Sequence, residues 1–199
     1  MSYSEFTIET LEERFGVEVV EDCDLFSDST PVEIPELLTQ VLQRFVPLAI
    51  TISTEKARSE LIIAPILAEF KLRFKDKLSL FSGIDFTVDQ DKGLNGRCDY
   101  ILSRSGTQLM LGAPILVIVK AKNENIIGGI PQCIAEMIAA HLFNERKHNP
   151  MEAVYGVVTT GSLWRFLKLT DNTAYVDRVE YPLQQLDKIV GILTEVISR

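Results

Sequence analysis

The chain is poor in the residues that usually announce a metal or redox centre. Only two histidines occur, His141 and His148, and only three cysteines, Cys23, Cys98 and Cys133. The cysteines lie far apart and form no CxxC or Cys/His cluster. That excludes a zinc ribbon and a disulfide framework and leaves three reduced packing thiols. Neither histidine has a serine or cysteine placed to make a triad, and Ser162 in "TTGSLW" is not in a GxSxG elbow. No apolar run approaches the roughly 20 residues that a membrane helix needs. The opening "MSYSEFTIETLEERFG" lacks the basic and apolar blocks of a signal peptide, so a cytoplasmic location and no membrane partner are expected. Basic residues are also in deficit: 20 Lys and Arg face 28 Asp and Glu, a net charge of -8. Such a chain does not bind nucleic acid through bulk electrostatics, and any DNA contact needs a local basic surface. One candidate is "KLRFKDK", where Lys71 and Lys75 would share a helix face. Its plainer reading is a solvated helix end with cations favoured by the C-terminal dipole.

What is present is ordinary globular material. With 199 residues, 46% hydrophobic and 24% charged, the chain suits a single domain able to bury a core without metal or disulfide staples. "TIETLEERFG" reads as a short helix stopped by Gly16, and "VEVVED" as a short strand. "PELLTQVLQRFVPLA" has helical spacing. A long helix follows from Thr54, a plausible cap, with Pro65 placed to kink it. The pattern then changes to strands: one from about Leu78 to Val88, then "RCDYILS" and "PILVIVKA". A helix around "QCIAEMIAAHLFNERK" and a nearly all-apolar strand "AVYGVVTTG" complete the core. Two more strands and an amphipathic helix close the chain. Helix, three strands, helix, strand predicts an α/β sandwich around a mixed sheet. The expected divisions are a helical extension over about 1–53, a core over about 54–160, and C-terminal strands and helix over 161–199.

The stretch "VIVKAKNE" raises the functional question. Residues two apart on a strand face one way, so Lys120 and Lys122 project together from the end of a buried strand. Something negative is needed opposite them. Asp99, on the neighbouring strand, is within reach if the register fits, since adjacent strands lie about 4.8 Å apart. Glu60 lies in the long helix. Gln132 and Glu136, four apart, stack on one face of the later helix. Carboxylates converging on a lysine are one way to hold Mg²⁺ for phosphodiester hydrolysis. Gly128 and Gly129, ahead of a helix, are turn residues or a phosphate approach. Trp164 and Phe166 alternate in a strand, as core packing or a base-stacking surface.

The order of elements, with Asp99, Lys120-Ala-Lys122 and Gln132, resembles the PD-(D/E)xK nuclease superfamily, the restriction-endonuclease-like fold, over roughly residues 54 to 160. The resemblance is greatest to uncharacterised cyanobacterial-type members. It implies Asp99 as metal ligand, Lys122 as catalytic lysine, Glu60 as the upstream helical carboxylate, and Mg²⁺ or Mn²⁺ as cofactor. One departure dominates: Lys120 stands where that family has an acidic residue. An ammonium in place of a carboxylate changes the local charge by two units, and each charge at about 4 Å is worth roughly 4 kcal/mol at an effective dielectric near 20. The expectation is therefore a pseudo-site, with Lys120 pairing Asp99 or Glu60 where the cation would sit. Glu136, thirteen residues past Lys122, is the alternative: a migrated carboxylate that would restore an active Mg²⁺-dependent DNA endonuclease. Glu124 is a weaker substitute. The third possibility is a non-catalytic scaffold, homodimeric through its C-terminal strands and helix.

Overall fold

A computed structural model describes all 199 residues. Its strands are β1 (Glu18–Cys23), β2 (Ser79–Asp85), β3 (Arg97–Ser103), β4 (Ile115–Ala121), β5 (Val154–Thr159), β6 (Leu163–Thr170) and β7 (Thr173–Pro182). They form one seven-stranded mixed sheet in the order β1-β7-β6-β5-β4-β3-β2. Only β4–β5 and β1–β7 are parallel. Every residue of β4 and of β5 is buried, as expected of unbroken apolar runs at the middle of a sheet covered on both faces.

The helices are α1 (Ile8–Phe15), α2 (Glu36–Ile52), α3 (Glu55–Arg58), α4 (Ala64–Phe74), α5 (Ile130–Arg146) and α6 (Leu186–Ser198). On one face of the sheet, Leu38 and Leu42 of α2, Ile66 and Phe70 of α4, and Ile192 and Leu193 of α6 pack with Trp164 and Phe166. On the other, Leu11 of α1 and Ile134 and Met137 of α5 pack with Ile118 and Val158. Trp164 and Phe166 are therefore core residues and offer no face to a base. No helix is long and apolar enough to cross a membrane.

Local chemistry explains the helix ends. The Thr10 backbone N–H donates to the Thr7 side chain at the start of α1, and Gly16 closes it in the left-handed region at φ 65. The Ala57 backbone N–H donates to Thr54 Oγ1 at the start of α3. The irregularity anticipated at Pro65 takes the form of a π turn, Ser59–Ile63, joining α3 to α4. The Ala64 N–H reaches five residues back to the Ser59 carbonyl. Proline has no N–H and crowds the carbonyl four residues earlier, and the wider turn just ahead of it absorbs both defects.

Several expectations need correction. The strand expected to run to Val88 ends at Asp85, and the Tyr3 hydroxyl donates to the Phe86 carbonyl just beyond it. Lys71 and Lys75 share no helix face, because α4 stops at Phe74 and Lys75 turns to φ 46. Residues 1–53, expected as a helical extension, also join the sheet. They supply β1, which pairs with β7, and the buried side chains Tyr3, Phe6 and Leu11. β6 and β7 are interior strands, and α6 buries Ile189, Val190, Ile192, Leu193, Val196 and Ile197.

Candidate functional site

The β3–β4 ladder ends at the Tyr100–Val119 pair. One residue further, a side chain takes over. Asp99 Oδ2 accepts the Ala121 backbone N–H at 2.9 Å and the Lys120 ammonium at 2.7 Å. The Lys120 side chain is 7% exposed and that of Asp99 is 25% exposed. Burial alone would push the ammonium's pKa down. The Glu136 and Asp99 carboxylates outweigh it and hold Lys120 above the ordinary lysine value. This cation therefore stays charged at neutral pH.

A second line of side chains runs along the α5 side. Lys122 Nζ donates to Gln132 Oε1 at 3.2 Å, and Gln132 Nε2 donates to Glu136 Oε1 at 3.2 Å. The one-turn spacing of Gln132 and Glu136 makes the relay possible. Glu136 is fully buried, and its Oε2 has no hydrogen-bond partner. Burial, opposed by Lys120 and reinforced by Asp99, leaves its carboxyl pushed up to about 8. The buried thiols of Cys98 and Cys133 are pushed up by burial and then by Glu136, so both are packing groups and not nucleophiles. Gly129 lets α5 approach this line. A Cβ there would lie 2.7 Å from Val158 Cγ1 and 3.0 Å from Lys122 Cε. Gly128 is a turn residue whose N–H donates to Asn125 Oδ1.

In front of Asp99 opens a cleft of about 430 Å³, with Glu55, Lys56, Ser59, Glu60 and Arg97 on its walls. Glu60 stands on the π turn and pairs with Lys56 at 3.4 Å, both side chains well exposed. The Tyr100 hydroxyl lies 2.6 Å from Ser59 Oγ and donates to the Ser59 carbonyl at 2.9 Å, fastening the π turn to β3. Glu60 and Asp99 thus share one cleft, whereas the sequence reading expected Lys122 in it as well. Lys122 does not line it: its ammonium is turned to Gln132 on α5. Glu124 is exposed and takes no part.

These residues do not fit a divalent cation. No three Asp, Glu, His or Cys side chains converge to hold one. Asp99 Oδ2 is engaged by an ammonium and an amide, Glu60 faces Lys56, and Glu136 is sealed off with its proton favoured. The expected ligands Glu60, Asp99 and Glu136 therefore form no donor set. The physical reason is Lys120, whose charge already occupies the Asp99 carboxylate.

One residue had gone unnoticed in the sequence. Arg58, at the end of α3, is 9% exposed. Its Nε donates to Asn123 Oδ1 at 3.2 Å, and its Nη1 to the Thr160 carbonyl at 3.1 Å and Ser162 Oγ at 3.2 Å. The only signal for it was its helical spacing from the apolar Ile62 and Ile66, which puts an arginine on a buried stripe. Compared with known protein families and with curated proteins, the chain matches none.

Proposed function

We propose that this is a nuclease-like protein of the restriction-endonuclease-like fold that no longer cleaves, and that it keeps its cleft for binding nucleic acid, DNA being the expected polymer. The succession α3–α4, β2, β3, β4, α5, β5 supports the fold reading, with Asp99, Lys120, Lys122 and Gln132 in the order that the resemblance implies. The observation that carries the loss of cleavage is the 2.7 Å contact between Lys120 Nζ and Asp99 Oδ2. Metal-assisted phosphodiester hydrolysis draws on a cation for its nucleophile and for charge stabilisation. An ammonium fixed on the one suitably placed carboxylate opposes that cation by several kcal/mol, at roughly 4 kcal/mol per unit charge pair in contact. Lys122, the lysine that would stand beside the attacking water, is spent on Gln132.

Calorimetric titration with Mn²⁺ and a plasmid-nicking assay test this. The wild type is expected to give no binding heat and no nicks, and to shift labelled DNA at low salt. Lys120→Glu is expected to gain stabilisation by Mn²⁺ in a thermal melt. Tight Mn²⁺ binding by the wild type, with nicking that Lys122→Ala abolishes, would restore the active endonuclease. A homodimeric scaffold is the second reading, favoured by one feature: Leu37, Leu48 and Ile52 of α2 are about half exposed or more. Sedimentation at micromolar concentration, with no salt-sensitive DNA shift, is its signature.

A further inference from the structure

The geometry points to Arg58 as a binding site for a phosphate group at the carboxyl ends of the parallel strands β4 and β5. Its three protein acceptors place it there. Asn123 follows β4, and Thr160 and Ser162 follow β5. The crevice outside the carboxyl ends of parallel strands is where open α/β sheets take their ligands.

The site is defined by a missing charge. Arg58 is the only buried arginine of the chain. No carboxylate lies within 4.0 Å of it, whereas Arg146, Arg165, Arg178 and Arg199 each have one. Its bonds go to an amide oxygen, a backbone carbonyl and a hydroxyl, all neutral. A buried charge without a counter-charge is costly unless an anion completes it. The guanidinium also has a free donor. Nη2 makes no bond to the protein and is not among the polar atoms sealed from solvent, so it opens outward. Asn123 and Ser162, each half-buried, hold the fork in place. With Nε and Nη1 held by the protein, the free Nη2 offers a charge-assisted donor to an oxygen of a tetrahedral oxyanion.

This inference rests on the nuclease-like reading only for the carrier of the phosphate, the backbone of a nucleic acid. The test uses two probes, inorganic phosphate followed by thermal shift and NMR titration, and a short fluorescein-labelled single-stranded DNA followed by anisotropy. Phosphate is expected to bind the wild type weakly and saturably. Arg58→Gln should weaken it roughly tenfold, the loss of a charge-assisted contact, and Arg58→Lys by less. Ser162→Asp separates binding from mere structure. It sets a carboxylate where a hydroxyl now meets Nη1, so it should raise the melting temperature while abolishing phosphate binding. If Arg58→Gln fails to fold, Ser162→Asp and Arg58→Lys carry the test. A wild type without a saturable phosphate response, or phosphate affinity unchanged in Ser162→Asp, overturns the site. Phosphate bound through Arg58 without DNA binding supports the site and overturns the nucleic-acid reading instead.

Discussion

Two cations are buried in this protein, and they lie close along the chain's architecture yet in opposite electrical states. Lys120 ends β4 with its ammonium on Asp99 and with Glu136 facing it from α5. Arg58 is clasped by residues that follow β4 and β5, and every partner it has is neutral. Burial is similar, at 5% and 9% exposure, so the difference lies in the counter-charge. A buried cation matched inside the protein is a structural element that closes its surroundings to other ions. One left unmatched keeps its field for something from outside. Exposed pairs such as Lys56–Glu60 belong to neither class, because solvent screens them.

Substitution can break this contrast. The largest effect is expected from Lys120→Met, which leaves Asp99 and Glu136 without their cation; breaking a buried pair from one side costs about 3–5 kcal/mol, readable by urea denaturation at pH 7. Glu136→Gln comes next, and its sign depends on pH. In the folded chain the carboxyl titrates at about 8, above its ordinary 4.5. The folded state therefore holds the proton more tightly. The stability this group contributes is full below about pH 4.5 and is lost as pH rises through about 8. Glu136→Gln should flatten that decline and gain on the order of 2–4 kcal/mol at pH 8 relative to the wild type. Arg58→Gln should cost less, about 1–2 kcal/mol, because its partners are neutral and two of them, Asn123 and Ser162, are only half-buried. A loss as large as that for Lys120→Met would mean that Arg58 is matched internally after all. Lys56→Ala should change stability by under about 0.5 kcal/mol in the same denaturation assay.

Much of the fold was legible from periodicity and punctuation. The unbroken apolar runs in β4 and β5, the Thr54 cap and the Gly16 stop each act through local sterics and hydrogen bonding, and each holds in the structure. Less legible was what depends on distant partners. Nothing near Asp85 in sequence shows that Tyr3 meets the chain at Phe86, and nothing in "VEVVED" names β7 as its neighbour. The site divides in the same way. That Lys120 and Lys122 sit together at a strand end followed from the two-residue period. That one would reach Asp99 and the other Gln132 did not, because the choice is made by the end of the β3–β4 ladder and by the close approach of α5 over Gly129.

By itself, then, the sequence determined the elements, their order, and the presence of two lysines at the end of a buried strand. The tertiary structure decided which charges meet. It gave Lys120 an anion, buried Glu136 away from water, and left Arg58 with neutral company only. The reason is that a charge interacts according to distance and burial, and folding, not position along the chain, sets both.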